Sequence, residues 1–447
     1  IFQATCYTVS RFFYIWKYLK PNLMLKIALL VFFYFGFPLI IIYLCKKWSF
    51  LQKIGAIVLA YGFGLLIGSI GILPQGSDGY KLILQGKSSL PRAEVESLIT
   101  QGKATNDDIF VNQIAQVQDI IPSLVVPLAF PLLLFSLNLN RWLRFAKKGF
   151  VSVFLALVAG LVMVTVGFFI WKDSIPESWK LAGMFEGIYA GGTPNFVAIK
   201  MALNVDANLF VIVSTYDMIV GAFLVLFFIT IAPRLFRLIL PPFEESKGIK
   251  GDEAEILSQT GNLEDYSGMF KKGVFLPLLG ALGISVLIFA FSGGLALLLP
   301  KIPMMVVVIL SITTFGLLLS LSKYINRIEK TFQLGMYLIL VFSLTVASMA
   351  NLRTMFGIGM LNLVLFITWC YFGSLVLHII LAKIFKIDAD NFLITSAAFI
   401  FSPPFVPLVA NALKNKDVIV TGITGGIIGY IVGNYLGVAL AYFLKGY

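Results

Sequence analysis

The sequence predicts an all-α polytopic membrane protein of about twelve (11–13) transmembrane helices, in two structural repeats that each contain a discontinuous helix. Composition is the first reason. Of 447 residues, 59% are hydrophobic and 13% are charged, whereas soluble domains are about 45–50% apolar and about 25% charged. The apolar residues also fall into stretches about 20 residues long, the length of a membrane-crossing helix. A polar linker divides these stretches into two sets, and a helix-breaking sequence recurs in the fifth stretch of each.

Twelve stretches meet the length criterion, six on each side of the linker. They are 25–44, 54–73, 120–138, 149–171, 181–203, 208–232, 273–299, 303–321, 332–350, 357–382, 391–413 and 417–443. Residues 1–24 are aromatic and amphipathic, which predicts an interfacial N-terminal segment. The first repeat then covers 25–232, the hydrophilic linker 233–272 and the second repeat 273–447.

The charge balance is 34 Lys and Arg against 22 Asp and Glu, a net charge of +12. The basic residues form short clusters between apolar stretches, which predicts loops at an anionic cytoplasmic leaflet and no nucleic-acid partner. One histidine and three cysteines without paired spacing exclude a His/Cys metal centre. We expect the lipid bilayer as surroundings, a bacterial cytoplasmic (inner) membrane as location, and no cofactor beyond a coupling ion. A homodimer stays open.

The predicted topology contains a conflict. Twelve crossings from a cytoplasmic N-terminus place most basic residues inside, but they place the cluster at 141–148 outside. Six crossings per half also make the repeats parallel, whereas inverted repeats need an odd number. A miscounted stretch between 204 and 302 would remove the conflict.

The two breaks are the strongest functional signal. Gly-Gly-Thr-Pro-Asn at 191–195 and Phe-Ser-Pro-Pro-Phe at 401–405 interrupt apolar runs, and their prolines Pro194 and Pro404 are 210 positions apart. Thr or Ser before Pro is a helix start and Gly-Gly a helix end, so each stretch predicts two half-helices meeting near the membrane midplane. Such ends bind ions and substrates. The residues assigned to substrate binding are Gly191, Gly192, Pro194, Glu186, Lys200, Ser402, Pro403 and Pro404.

Ionisable residues inside spans are functional candidates because their burial is costly. Asp217, in the span after the first break, is the first candidate for binding Na⁺ or H⁺. The predicted ion ligands are Asp217, Asn195, Thr193, Ser214 and Thr215, with Asp217 as a tentative Na⁺ ligand. Glu186 would line the same cavity. Lys200 is either a charge partner or a side chain that reaches the interface, and His378 is interpreted as a polar residue near a span end.

An intramembrane enzyme is the competing class. Tyr216-Asp217 resembles the first motif of intramembrane aspartyl proteases, but the second motif's nearest match, Gly251-Asp252, lies in the polar linker. No HExxH zinc motif occurs, so the sequence predicts no enzyme. We therefore expect a secondary active transporter, driven by Na⁺ or H⁺, that moves a small anionic or amphipathic solute by alternating access. A channel, or a flippase for a lipid-linked substrate, is the alternative.

Three motifs carry a family resemblance: PLAFPLLLFSLNLNRW at 127–142, GGTPNFVAIKMAL at 191–203, and SPPFVPLVANALKNKDVIVTG from residue 402 with GYIVGNYLGVALAYFL after it. They resemble the YjcL-like family of uncharacterised integral membrane proteins, grouped with cation/proton antiporters and bile-acid/sodium symporter-like carriers. The resemblance implies inverted repeats, a panel and a core domain, and two crossing discontinuous helices. It also implies an ion-binding aspartate on the helix after the first break, the position of Asp217.

Overall fold

A computed structural model describes residues 21–71, 73–84, 89–136, 139–243, 265–350, 360–415 and 417–447. Within those ranges the regular secondary structure is entirely helical. Nearly all of the predicted interfacial segment 1–24 and residues 244–264 of the predicted linker lie outside the described residues. The all-α polytopic class is confirmed.

The helices of the first half are α1 (Pro21–Lys47), α2 (Ser49–Ile54), α3 (Ala56–Ser69), α4 (Asp78–Leu84), α5 (Arg92–Thr100), α6 (Asn106–Phe135), α7 (Leu139–Trp171), α8 (Ser178–Leu203), α9 (Ala207–Thr230) and α10 (Ala232–Arg237). Those of the second half are α11 (Lys272–Leu298), α12 (Met304–Ser320), α13 (Lys323–Asn326), α14 (Thr331–Met349), α15 (Met360–Ile384), α16 (Ala389–Ile400), α17 (Val406–Leu413) and α18 (Ile419–Leu444). A 3₁₀ turn, Pro403–Phe405, joins α16 to α17. Each of the twelve predicted stretches coincides with one of these helices or, for 391–413, with the α16–α17 pair.

Helix starts follow from capping side chains. Thr105 and Asp108 form a reciprocal capping box at the start of α6. Asp206 accepts hydrogen bonds from the backbone N–H groups of Asn208 and Leu209, which fixes the start of α9. Asp388 accepts from the N–H of Asn391 at the start of α16. Each of these short polar caps fixes the residue at which its helix begins.

The helices pack into two groups. The hairpin bundle consists of α7, α8, α15, α16, α17 and α18, and the outer bundle of α1, α3, α6, α11, α12 and α14. Helix α9 contacts helices of both bundles, and the short helix α10 packs on α9 and α16. Helices α6 and α14 pack on each other and on α3, outside the hairpin bundle.

Helix α8 is a hairpin, which we call hairpin 1, and not a crossing helix. The Lys180 ammonium donates to the Asn204 carbonyl at 3.3 Å, although 24 helical residues would separate these positions by about 36 Å. A Cβ placed on Gly187 would meet the Ile199 side chain, so the second arm returns beside the first. The chain reverses at Gly192, whose φ of 65° and ψ of −163° are non-helical.

The pair α16–α17 forms a second hairpin, hairpin 2. Arg237 donates to the Asp390 carboxylate at 3.0 Å and to the Leu413 carbonyl at 2.9 Å, so the first and last turns of the hairpin lie side by side. Asn415 donates to the same carboxylate at 2.9 Å. The reversal falls at Ser402, with φ 74° and ψ 163°.

Eight of the described helices are long and apolar enough to cross a membrane: α1, α6, α7, α9, α11, α14, α15 and α18. With the shorter apolar helices α3 and α12 counted as crossings and the two hairpins left out, the described helices cross ten times. From hairpin 1 to hairpin 2 the chain crosses five times, through α9, α11, α12, α14 and α15. Because five is odd, the repeats α6–α9 and α14–α18 are inverted. The parity conflict came from counting the hairpins as crossings, and no stretch between 204 and 302 was miscounted.

Contacts between loops confirm which segments share an end of the bundle. At one end, Asn326 donates to the Phe135 carbonyl at 3.2 Å, and the N–H of Ala389 donates to the Pro241 carbonyl at 3.0 Å. At the other end, Lys445 lies 5.1 Å from the centre of the Trp179 ring. Hairpin 2 enters from the first end and hairpin 1 from the second.

Candidate functional site

The tips of the two hairpins touch. Gly192 and Ser402, the two reversal residues, are 210 positions apart, and a Cβ placed on Gly192 would overlap the Ser402 hydroxyl and lie 3.1 Å from its Cβ. The arms are 8 to 14 residues long, about 12–21 Å at the helical rise, in a hydrocarbon layer about 30 Å thick. Both tips therefore reach the middle of the layer.

Other equivalent residues also meet, which defines a two-fold axis between the repeats. Tyr189 and Phe399, 210 positions apart, stack with ring centres 6.1 Å apart and an interplanar angle of 9°. A Cβ on Gly373 would collide with Met163, its equivalent on α7. Only residues on a symmetry axis contact their own equivalents, so the axis runs through the hairpin tips.

Helix α18 supports both tips through its glycines. A Cβ on Gly429 would collide with the Ala190 carbonyl, and one on Gly433 would collide with the Asn195 amide. Asn195 donates to the carbonyls of Gly429 and Tyr430, each at 3.3 Å. The side chain predicted as an ion ligand thus also fastens hairpin 1 to α18.

Several oxygens near the tips lack partners among the described residues. The Asn195 carbonyl oxygen is buried without a hydrogen bond, and so are the Asn434 carbonyl oxygen and the Thr424 hydroxyl of α18. Asn434 uses its amide on the Thr313 hydroxyl of α12, 3.1 Å away, so it joins the hairpin bundle to the outer bundle. Unpartnered oxygens at this depth favour a bound ion, water or polar solute.

A small cavity lies beside the tip of hairpin 1, on the side of the tip that faces the end of α6 and the start of α14. Its lining combines the outer bundle with the tip and α18: Phe130, Leu133, Leu134, Phe332, Pro194, Asn195 and Tyr430. Asn195 and Tyr430 bring the polar groups, and the rest of the wall is apolar. A small polar group with an apolar body fits this lining.

Hairpin 2 contributes Ser402 and Pro403 to the site. Ser402 occupies the N-cap position before Pro403, as the sequence predicts, although its hydroxyl makes no capping hydrogen bond. The Ser402 side chain lies near the Tyr430 hydroxyl. Ser402 therefore faces the tip contact and not its own helix. The structure describes the backbone of Pro404 and not its side chain.

Asp217 lies on α9, away from the tip. The Tyr371 hydroxyl of α15 donates to its carboxylate, and the Tyr371 ring packs 5.0 Å from Phe185 of hairpin 1. Ser214 and Thr215 donate to carbonyls of their own helix, at 2.7 and 2.8 Å. Among the described contacts none joins Asp217 to Asn195 or to the half-buried Thr193, so the predicted ligands fall into two places.

Glu186 and Lys200 lie on the two arms of hairpin 1. Glu186 is fully buried, and neither carboxylate oxygen has a hydrogen-bond partner among the described residues. Lys200 is half-buried, and the negative charges of Asp119 and Asp206 act on its ammonium. Both interpretations of Lys200, a charge partner and a side chain that reaches the interface, stay predictions.

Sequence reasoning misjudged His378. It is fully buried, and its Nδ1 shares a 2.9 Å hydrogen bond with the Ser396 hydroxyl of hairpin 2. Tyr371 and Asn434 were also missed. Their signal was present, since Cys370, Ser374 and His378 repeat every four residues on one face of α15 and Asn434 is a lone amide in a glycine-rich span.

Comparison with known proteins gives a family and a relative. Residues 88–447 match the family described as Protein of unknown function (DUF819). The chain is also similar to the Uncharacterized membrane protein YjcL of Bacillus subtilis (strain 168), at 26% identity over 330 residues, which cover 72% of this chain and 82% of the relative. The family match includes both hairpins, and neither description states an activity.

Proposed function

This chain belongs to the family described as Protein of unknown function (DUF819), and from that premise and its paired hairpins we propose that it is a secondary active transporter. The observation that carries the proposal is the contact between Gly192 and Ser402 at the tips of two oppositely inserted hairpins. Broken helices near the midplane are tolerated where they line a cavity or a binding site. In transporters built from inverted repeats, substrate and ion sites lie at such places.

The proposed solute is small and anionic or amphipathic. Second-arm N-termini of both hairpins point their partial positive charge at the tip, and Lys200 lies on the second arm of hairpin 1. The apolar cavity wall suits an apolar body, while Asn195 and Ser402 suit a polar head. Na⁺ or H⁺ would drive transport, with Asp217 as one ion site and the unpartnered oxygens of Asn195 and Asn434 as another.

Alternating access would come from movement of the hairpin bundle against the outer bundle. The two groups meet at few polar contacts, among them Asn434–Thr313 and Tyr435–Thr314, the latter at 2.7 Å. In the described state the small cavity lies on one side of the tip. Movement of the hairpins past α6 and α14 would open a path to the tip from one end of the bundle at a time.

The count of ten crossings also leads us to propose an orientation of the protein in the membrane. With the α6–α7 loop in the cytoplasm, one face collects most basic clusters: Lys46, Lys47, Arg141, Arg144, Lys147, Lys148, Arg234, Arg237, Lys323, Arg327, Lys330, Lys383 and Lys386. This satisfies the positive-inside rule and reverses the orientation that twelve crossings suggested. The cavity then lies on the cytoplasmic side of the hairpin tip, hairpin 1 enters from outside, and hairpin 2 enters from inside.

The resemblance to cation/proton antiporters and bile-acid/sodium symporter-like carriers agrees with this proposal at the level of inverted repeats. We place the protein in a bacterial cytoplasmic membrane, with no enzymatic activity and no cofactor beyond the coupling ion. The proposal departs from that clan's crossed discontinuous helices, because both broken elements here are hairpins.

The proposal can be tested without a known solute by measuring from which side of the membrane the tip of hairpin 1 is accessible. Cys6, Cys45 and Cys370 are replaced by serine, and Thr193→Cys is labelled with a membrane-impermeant maleimide from either face of oriented vesicles. A transporter exposes Thr193→Cys to one face at a time, and an imposed Na⁺ or H⁺ gradient changes which face. Thr230→Cys, exposed at the end of α9, is the control that labels from one face under all conditions.

The outcomes separate the alternatives. Simultaneous labelling of Thr193→Cys from both faces indicates a channel and overturns the proposal. Labelling from one face that no ion gradient changes also contradicts it. A parallel uptake screen of anionic and amphipathic solutes, with and without each gradient, would then identify the solute that accumulates.

A further inference from the structure

A line of buried polar side chains runs from one half of the membrane to the other beside the hairpin tips. Three members lie on one face of α15 at spacings of four residues, and all are fully buried: Cys370, Ser374 and His378. At about 1.5 Å per residue they span about 12 Å. We call this line, with the hairpin residues that meet it, the polar file: Glu186, Tyr189, Cys370, Ser374, His378 and Ser396.

Each hairpin meets the file at an equivalent position. Glu186 lies six residues before Gly192, and Ser396 lies six residues before Ser402. The Tyr189 ring of the same arm packs against Tyr371 of α15, with ring centres 6.5 Å apart, and the Glu186 charge acts on Cys370 and Tyr189. The hairpins therefore place an ionisable contact at each end of the file, Glu186 in the outer half of the membrane and the His378–Ser396 pair in the inner half.

The middle of the file lies on the axis between the repeats. The Tyr189 hydroxyl interacts with Ser374 and donates to the Ala156 carbonyl at 3.2 Å. Ser374 donates to the Cys370 carbonyl one turn earlier on α15. Beyond His378, the Thr395 and Ser152 hydroxyls share a 2.7 Å hydrogen bond, which extends the polar path toward the start of α7.

Two members of the polar file have atoms that can accept a hydrogen bond but do not receive one from any described residue. Both carboxylate oxygens of Glu186 and Nε2 of His378 lack hydrogen-bond partners among the described residues. Glu186 takes part in no ion pair in the described part of the chain. The neighbouring titratable groups are Tyr189 and Cys370, while α18 faces this arm with Gly433 and Gly437. An isolated buried carboxylate is tolerated as the neutral acid.

We propose that the polar file binds and conducts protons, with Glu186 and His378 as its two proton acceptors, so that H⁺ is a coupling ion of this protein. A proton from outside binds the Glu186 carboxylate and gives the neutral acid. Its transfer through the Ser374 region to Nε2 of His378 restores the carboxylate and gives an imidazolium. Loss of the Nδ1 proton through Ser396 leaves neutral imidazole with its proton on Nε2. Return of that proton to Nδ1, by tautomer exchange or rotation of the ring, frees Nε2 for the next proton. The use of this path in transport rests on the function proposed above.

Infrared spectroscopy tests the first acceptor without any transported solute. Purified wild-type protein at neutral pH should show the carbonyl stretch of a buried carboxylic acid, and Glu186→Gln should lose it. Asp217 is a second carboxyl group inside the bundle, so the comparison is made in the Asp217→Asn background, where the Glu186 signal should remain. A spectrum of Asp217→Asn without that signal, or a signal that survives in the Asp217→Asn, Glu186→Gln double variant, overturns the proposal.

The kinetics of deprotonation test the file. In oriented vesicles, an alkaline jump on the cytoplasmic face should discharge the Glu186 signal, and His378→Gln or Ser374→Ala should slow the discharge by about tenfold or more. Ser285→Ala is the matched control, because Ser285 is equally buried and also donates to the carbonyl four residues earlier, Ala281, but lies on α11. Unchanged rates in both file variants would show that protons take another route.

His378 is the single histidine of the chain, so protein labelled with ¹⁵N-histidine and purified on a histidine-free tag gives one residue's imidazole signals. Acidification should convert these signals from neutral imidazole to imidazolium, and Ser396→Ala should change the Nδ1 signal. A His378 spectrum that stays neutral at every pH at which the protein is folded would remove it from the path. These results do not depend on transport, so the proton path and the proposed function fail separately.

Discussion

Gly192→Ala is the substitution that the tip contact constrains most. The backbone at Gly192, with φ 65° and ψ −163°, lies in a region used almost only by glycine, and a side chain there costs about 1–3 kcal/mol. The new Cβ also overlaps the Ser402 hydroxyl, and overpacking costs typically about 1–3 kcal/mol. We expect Gly192→Ala to destabilise the hairpin contact by about 2–6 kcal/mol, a large part of a native protein's stability of about 5–15 kcal/mol.

Ser402→Gly separates the two contributions. It removes the atoms that Gly192→Ala would strike, and it relieves the positive φ of 74° at Ser402. We expect Ser402→Gly alone to be more stable than wild type in thermal unfolding followed by tryptophan fluorescence. The double variant should recover the collision part of the loss and keep the backbone part. Gly221→Ala, where a Cβ meets nothing within 4 Å, is the matched control and should be neutral or stabilising.

Two results would refute this reasoning. One is equal stability of Gly192→Ala and Gly221→Ala, which would mean that the tips do not touch. The other is strict additivity of Gly192→Ala and Ser402→Gly, since residues in contact show an interaction energy in a double-mutant cycle. The transport assays above should follow the same order as stability, because the site exists only when the tips meet.

Three further predictions concern charged groups. Asp217→Asn should abolish thermal stabilisation of the protein by Na⁺ with little change in expression. Asp217→Glu should shift the Na⁺ or pH dependence of that stabilisation. If Asp217→Asn keeps the full ion dependence, Asp217 has only a structural role. Lys200→Gln removes the positive charge on which Asp119 and Asp206 act, so it should lower thermal stability more than Lys200→Arg does. Equal behaviour of both variants would mean that Lys200 only reaches the interface. Hydrogen bonds from Ser267 and the charge of Lys330 lower the pKa of Asp265. The ionised carboxylate therefore stabilises the loop at a pH above its unfolded pKa, and this contribution is lost as the pH falls through the acid range. Proteolysis of this loop should increase at acid pH in wild type and not in Asp265→Asn.

The sequence located the helices and the breaks, because both depend on local chemistry. An apolar run about 20 residues long must satisfy its backbone as a helix in lipid, and Gly192, Pro194 and Pro403 interrupt a helix wherever they stand. Hydropathy could not tell a crossing helix from a hairpin. The arms of hairpin 1 together are as long and as apolar as one span, and their return depends on packing against α18, more than 200 residues later.

The grouping of site residues was also beyond the sequence. Asp217 and Asn195 are 22 residues apart in the chain, which suggested one site, but the hairpin turns Asn195 toward Gly429 and leaves Asp217 on α9 against Tyr371. His378 stands near the end of an apolar run, which suggested an interfacial position. Its burial is due to hairpin 2, whose first arm covers that end of α15.

The dependence of hairpin 1 on α18 has a consequence for biosynthesis. When residues 178–203 leave the ribosome, α18 has not been made, and a hairpin whose tip carries Gly192 cannot satisfy its reversed backbone in lipid alone. Until Ile419–Leu444 is inserted, hairpin 1 must wait at the membrane surface, near another helix or in the translocation machinery. The last step of assembly is therefore the docking of an early segment on a late one, and a pause in synthesis before residue 419 should expose residues 178–203 to membrane proteases.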